Sequence, residues 1–195
     1  LENGSWGPRF DGSMQLWGNK YENSQKLKPY SPIKNNIKDF FDAGFRYNNS
    51  VSFNGATDKS EYYVSFSQIS DDGMVPTDAD SYDKYTFSAR GSHKVKALTF
   101  SSSLNYSYQK NKFATTGQGL TMLNSLYQTP RDVSIISLQD QNDIFNSPGY
   151  FYTPYGVMNP YYILENYLNE YDAERFYGKF QVDYDFLKYF KFTYR

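Results

Sequence analysis

The chain of 195 residues carries 20 basic and 21 acidic side chains, which gives a formal net charge of -1. This balance provides no electrostatic basis for binding nucleic acid or an anionic membrane surface, so we expect no nucleic-acid partner. The chain has no cysteine and one histidine, His93, which excludes disulfides, thiolate metal sites and a histidine-rich metal site. Aromatic residues make up 20% of the chain, and in a Ser, Asn and Lys background they are typical of strands with one wet and one apolar face.

No run of about 18 apolar residues is present, so the sequence predicts no transmembrane helix. A membrane location stays open, because barrel strands need only about 9–11 residues of alternating character each. No secretory signal peptide opens the chain, and a strand pattern continues to Arg195. From these two features we expect an internal piece of a longer protein.

Residues 1–42 have weak periodicity, interrupted early by Gly4, Gly7, Gly12 and Gly18. We therefore predict an irregular lead-in over 1–42, with one short amphipathic helix over residues 33–41. The two tryptophans, Trp6 and Trp17, are interpreted as packing residues in preference to membrane-interface or ligand-stacking residues.

Residues 43–109 predict two hairpins that turn at residues 54–60 and 93–97. Along all four strands apolar side chains alternate with Ser, Asn, Thr and charged ones, so each strand has one apolar and one polar face. His93 is interpreted as an exposed turn residue. The apolar parity comprises Phe45, Tyr47, Val51, Phe53, Tyr62, Val64, Phe66, Tyr85, Phe87, Ala89, Leu98, Phe100, Leu104, Tyr106 and Tyr108.

The link between the two hairpins, residues 70–83, contains five aspartates. Oxygen-rich loops of this kind sometimes hold calcium. The spacing matches no EF-hand loop, so a solvated acidic loop is favoured, and we assign no metal and no cofactor.

Residues 110–172 form a long segment between strands, and loops of that length are usually functional. Residues 119–129 predict a helix that Pro130 ends. Further on, aromatic side chains are punctuated by prolines. They fit two roles, stacking on a sugar or partner protein, or forming the loop's own small core. The candidate contact residues of this segment are Tyr150, Tyr152, Tyr155, Asn159 and Tyr161.

Residues 173–195 predict a fifth long strand, a tight turn near 187–189 and the start of another strand. Phe176, Phe180, Val182, Tyr184 and Phe186 share one parity. The chain as a whole thus predicts an all-β fold of about five to six strands.

Three features favour a transmembrane antiparallel β-barrel over a soluble β-sandwich. Short and long connections alternate along the chain, as barrel turns and loops do. Ten to twelve residues per strand, at about 3.3 Å each and a tilt of about 40°, cover roughly 25 Å, the height of a barrel's apolar band. The charged residues Arg46, Lys84 and Arg90 lie on the parity opposite the aromatics, which places them away from lipid.

Several stretches resemble the SusC/RagA family of TonB-dependent outer-membrane transporters of Bacteroidetes. The most specific are SWGPRFDG at residues 5–12 and EYYVSFS at 61–67, followed by DGMVP at 72–76. NNIKDFFDAG at 35–44, NPYY at 159–162 and RFYG at 175–178 are also similar to the family. The resemblance extends over nearly the whole chain.

The resemblance implies a barrel of 22 strands, of which this chain would supply an early part of the wall, with 110–172 as an extracellular loop region. It further implies a SusD-like surface lipoprotein as a lid, TonB engaged through an N-terminal region that this chain lacks, and contact with outer-membrane lipid. The expected function is import of an oligosaccharide or oligopeptide substrate.

The sequence leaves two other classes of function open. The first is a soluble β-sandwich carbohydrate-binding module, which requires the chain to fold without detergent. The second is an enzyme, which has little support, because a Ser-His-Asp arrangement could use only His93 and carboxylate pairs arise by chance in an acidic loop. We therefore expect no catalytic activity.

Overall fold

The computed structural model describes residues 7–117, 119–148, 158–187 and 189–195. The chain divides into two compact units. The loop unit comprises Leu1–Gly44, Gly73–Asp80 and Lys112–Asn169. The sheet unit comprises Phe45–Asp72, Ser81–Asn111 and Glu170–Arg195.

The loop unit begins with a hairpin that the sequence patterns did not predict. Strand β1 (Met14–Tyr21) pairs antiparallel with β2 (Ser24–Pro29), and the turn places Glu22 at a φ of 50°. The expected irregular lead-in over 1–42 is therefore wrong for this stretch. The helix expected over 33–41 is reduced to a 3-10 turn at Lys38–Phe40.

Among the described residues, the loop unit also contains two short helices, α1 (Met122–Gln128) and α2 (Pro160–Asn166). It further contains 3-10 turns at Pro76–Asp78, Ile136–Gln139 and Ile144–Asn146. Helix α1 ends at Gln128, shortly before Pro130, as predicted. At its start, Thr121 caps the helix by accepting a hydrogen bond from the Asn124 amide. Trp17 packs against the hydrophobic core of this unit, which confirms its packing role. That core contains Phe40, Ala79, Met122, Leu126, Val133, Ile135, Leu138, Tyr161, Ile163 and Leu164.

The sheet unit is one antiparallel sheet whose strands follow chain order. The strands are β3 (Arg46–Ala56), β4 (Ser60–Asp71), β5 (Ser81–Val95), β6 (Leu98–Ala114), β7 (Leu168–Phe186) and β8 (Phe190–Tyr194). Strands β3 to β7 contain 11, 12, 15, 17 and 19 residues, well above the about five or six that globular strands average. This confirms an all-β fold with long strands.

Short and long connections alternate between these strands, as the sequence predicted. Two residues, Lys96 and Ala97, join β5 to β6, whereas residues 115–167 separate β6 from β7. His93 lies within β5 and not in the turn, which corrects its predicted position. Among the helices of the described residues, none is long and apolar enough to span a membrane.

Candidate functional site

The apolar side chains of neighbouring strands lie in register on one face of the sheet, which we call the apolar face. Val51 of β3 lies opposite Phe66 of β4, which lies opposite Phe87 of β5. Two residues further along the strands, Phe53 of β3 lies opposite Val64 of β4, which lies opposite Ala89 of β5. Because directly paired residues share a face of the sheet, the predicted apolar parity is built into one continuous surface.

This apolar face is exposed. Phe53 is 65% exposed, Phe66 44% and Phe180 58%, although burying such side chains is the main source of stability in water-soluble domains. Contiguous apolar patches of more than a few hundred Å² are rare on soluble monomers and mark sites of contact with a protein or a membrane. Other exposed residues of the same parity are Val51, Tyr62, Val64, Phe87, Phe100, Leu104, Tyr106, Phe176, Tyr184, Phe186, Phe190, Phe192 and Tyr194.

The apolar face ends in tyrosine and polar side chains toward the longer connections. The Gln68 amide donates to the hydroxyls of Tyr47 and Tyr85, at 3.4 and 3.5 Å. Two residues further along β4, Ser70 donates to the Asp83 carboxylate at 2.7 Å. Tyrosines with their hydroxyls directed toward polar partners are typical of the aromatic girdles at a membrane–water interface.

At the opposite end of the strands, the ring of Tyr62 covers Gly55 on the edge strand β3. A methyl group added at Gly55 would overlap the Tyr62 ring, so a larger residue there requires the ring to move. Tyr184, Phe186 and Phe190 stack in sequence near the turn after β7, with ring centroids 5.9 and 5.6 Å apart. Aromatic rings therefore lie near both ends of the apolar face.

The other face of the sheet, the polar face, carries small hydroxyl and amide side chains. Ser52, Ser65 and Ser88 lie opposite one another across β3, β4 and β5, and Ser88 donates to the Asn105 side chain at 2.9 Å. Arg46 forms an ion pair with Asp71 at 3.6 Å. This face has the chemistry of a hydrated surface.

A buried carboxylate organises the last two strands on the polar face. Asp183, 6% exposed, accepts hydrogen bonds from Thr193 at 2.6 Å and from Gln181 at 2.8 Å. Lys191 lies 3.8 Å from the same carboxylate. The charge is thus compensated by hydrogen bonds and a cation, as a buried carboxylate requires.

A groove of about 670 Å³ crosses the polar face near the short turns. Its lining includes Asn54, Glu61, Tyr63, Arg90 and Lys179, with serines at 92, 101 and 103. These residues share the polar parity, whereas the lining residues at positions 55, 62, 91 and 102 belong to the apolar parity. The groove exists only once strand order and register bring the strands together. Sequence reasoning missed the groove, and the only available signal was that Arg90 and Lys179 lie on the serine parity.

Two of the five predicted contact residues are buried in the loop unit. Asn159, 0% exposed, donates to the carbonyls of Leu138 and Asn146 at 2.8 and 2.7 Å and accepts from the Tyr161 amide at 2.9 Å. This corrects its expected role, because all of its hydrogen-bonding groups already hold the loop unit together.

Tyr161 is 3% exposed, and its ring contacts that of Phe40 edge-on with centroids 5.1 Å apart. Burial, together with the nearby Asp42 carboxylate, raises the pKa of Tyr161, so it is a neutral packing residue and not a surface contact. The remaining predicted contacts, Tyr150, Tyr152 and Tyr155, lie outside the described residues.

Ion pairs attach the β1–β2 hairpin within the loop unit. Lys26 lies 3.1 Å from Asp143, and Lys28 pairs with Asp132 and lies 5.8 Å above the ring of Trp17. Asp143 is partly desolvated, which favours its neutral form, but hydrogen bonds from the Phe145 amide and Lys26 outweigh this and lower its pKa.

Hydrogen bonds within the acidic link between β4 and β5 stabilise its conformation. The Asp80 carboxylate accepts hydrogen bonds from the amides of Met74 and Val75 at 2.9 and 2.8 Å. Within the described ranges, no group of three or more His, Cys, Asp or Glu side chains is arranged to hold a metal ion. His93 contacts the Ser60 hydroxyl through Nδ1 at 2.6 Å, across a directly paired position of β4 and β5.

No protein-family model matches the sequence, and no curated protein matches it.

Proposed function

We propose that the six-stranded sheet is part of the wall of a transmembrane β-barrel in a TonB-dependent outer-membrane importer of the SusC/RagA type. The observation that carries the proposal is the long antiparallel sheet with an exposed apolar face and a polar opposite face. In a barrel wall the apolar face contacts lipid and the polar face lines a water-filled lumen.

The dimensions of the sheet support this assignment. At about 3.3 Å per residue and a tilt of about 40°, the 11 residues of β3 rise roughly 28 Å along the membrane normal. The tyrosines near both ends of the apolar face fit the two interfacial girdles. A soluble carbohydrate-binding sandwich instead needs the apolar face buried against a second sheet, and the exposure of Phe53 and Phe180 favours the barrel.

The importer function goes beyond the sheet and is supported by the resemblance of residues 5–12 and 61–76 to the family. On this proposal the loop unit is extracellular, a SusD-like lipoprotein closes over it, and TonB drives the import of an oligosaccharide or oligopeptide. Binding and passage require no covalent step. Tyr150, Tyr152 and Tyr155 are proposed to contact the substrate or the lid.

The experiment is an uptake assay in cells that express the full gene in their outer membrane. Fluorescent oligosaccharide and oligopeptide mixtures are supplied, and uptake is compared between wild type and a variant with Tyr150, Tyr152 and Tyr155 changed to Ala. We expect the variant to reach the outer membrane at wild-type levels but to import less. Tyr127→Ala is the control, because Tyr127 is 74% exposed on α1 of the same unit.

Unchanged uptake in the triple variant contradicts the contact role of the three tyrosines. Recovery of the wild-type protein in the soluble fraction contradicts the importer as a whole.

A further inference from the structure

Two of the cations on the polar face, Arg90 and Lys179, form no ion pair among the residues that the structure describes and also line the groove. Arg46 pairs with Asp71 and Lys191 with Asp183. Arg90 instead lies over the ring of Tyr63, and Lys179 donates to the neutral amide oxygen of Gln181 at 3.2 Å. Both line the groove on the polar face, so the groove carries positive charge available to a ligand.

The guanidinium of Arg90 lies over the ring of Tyr63. Its central carbon lies 4.5 Å from the centroid of the Tyr63 ring, and the two residues are directly paired between β4 and β5. Cation–π stacking uses the flat face of the guanidinium and leaves the N–H donors at its edge free. A planar carboxylate accepts two parallel hydrogen bonds from such an edge.

Lys179 is placed to add a second charge to the same ligand. It lies on β7, separated from β5 by β6, so the two backbones are about 10 Å apart, a distance that two long side chains can span. Between them Ser103 supplies a hydroxyl, and Asn54 supplies an amide on the far side of Tyr63. Glu61 also lines the groove, so the charged lining side chains are two cations and one anion.

We propose that this groove binds a carboxylate-bearing oligomer, with Arg90 forming the bidentate contact and Lys179 the second charged contact. The proposal rests on the proposed function, because a water-filled lumen brings a solute to the polar face. A volume of about 670 Å³ falls in the range of about 300–1,000 Å³ for small-ligand sites, which suits a trimer. The carboxylate belongs either to a uronic acid of a glycan or to an acidic peptide.

The test is equilibrium binding to the protein purified in detergent micelles at low ionic strength. The probes are trigalacturonate, triglutamate and the uncharged galactotriose. We expect at least one acidic trimer to bind, and galactotriose to bind at least about tenfold more weakly. Arg90→Gln and Lys179→Gln should each weaken the acidic trimer by about tenfold or more, the loss of one charge-assisted contact.

Lys84→Gln is the matched control, because Lys84 lies on the polar parity of β5, paired with Ile69 and outside the groove. Binding of all three trimers with equal affinity, binding of neither acidic trimer, or an equal loss in Lys84→Gln overturns the proposal. Lys179→Gln removes no ring contact, so it decides the outcome even if Arg90→Gln fails to fold. Which acidic trimer binds identifies the source of the carboxylate.

A labelling measurement on the same sample separates this inference from the proposed function. Ser65→Cys lies on the polar face away from the groove, and the wild-type chain has no cysteine. If a water-soluble maleimide labels Ser65→Cys but no acidic trimer binds, the groove inference alone fails. If the maleimide does not label the thiol, the proposed water-filled lumen is contradicted together with the groove inference.

Discussion

Placing a positive charge at the middle of the apolar face tests whether that face meets hydrocarbon. Val64 lies on β4 between Phe53 and Ala89 in register, in the middle third of a strand that runs from Ser60 to Asp71. At the bilayer midplane an outward-facing arginine costs about 2–4 kcal/mol, and near the interface about 0–1 kcal/mol. We therefore expect Val64→Arg to lower the free energy of unfolding by about 2–4 kcal/mol, and Gln68→Arg by about 1 kcal/mol or less.

Ser65→Arg is the matched control on the polar face. Ser65 is the next residue of the same strand and lies opposite Ser52 and Ser88, so its arginine enters the hydrated side at a cost within about 0.5 kcal/mol. The assay is urea unfolding of the protein folded in lipid vesicles, followed by circular dichroism. A Val64→Arg cost equal to that of Ser65→Arg, or a Gln68→Arg cost as large as that of Val64→Arg, refutes the reasoning.

Two further predictions concern the loop unit. Asn159→Ala removes the cap of α2 and leaves the Leu138 and Asn146 carbonyls without the donor that Asn159 supplies. Thermal unfolding should show that the free energy of unfolding falls by about 2–4 kcal/mol. The control Asn166→Ala removes one exposed hydrogen bond, and equal losses in the two variants contradict the role of Asn159. The lowered pKa of Asp143 means that its ionised form stabilises the folded state above its ordinary value of 3.8, and that this contribution is lost as the pH falls through the folded value. The free energy of unfolding, measured as the pH is lowered, should therefore fall less steeply in Asp143→Asn than in wild type. Parallel curves for the two proteins contradict this role of Asp143.

The long strands were predictable because their signal is local. A period of two along β3 to β7 shows in any window of a few residues, and it indicated the strands and the alternation of their side chains. The exact ends were not predictable in the same way, because the turn expected at 93–97 lies at Lys96 and Ala97. The β1–β2 hairpin was missed because Gly18 interrupts its pattern. Its inner face also carries Lys26 and Lys28, whose partners Asp143 and Asp132 lie more than 100 positions away, beyond the reach of any local pattern.

The contact residues show the same limit. Asn159 and Tyr161 are both buried, and Tyr161 belongs to a core that joins Phe40, Leu126 and Leu138 from separate parts of the chain. For Tyr161 the structure therefore shows the packing role, one of the two roles left open for the loop aromatics. The groove around Arg90 could not be predicted, because five strands, β3 to β7, form it only after they are in register.

The most direct measurement of the lipid-facing assignment compares two neighbouring positions on β4. Nitroxide spin labels are attached to Val64→Cys and Ser65→Cys in the protein reconstituted into lipid vesicles, and collisions are measured with oxygen, which concentrates in hydrocarbon, and with a water-soluble nickel chelate. We predict that the label at 64 collides mainly with oxygen and the label at 65 mainly with the chelate. Preferential collision of the label at 64 with the chelate, or the exclusion of both reagents from it, contradicts a wall with lipid on one side and water on the other.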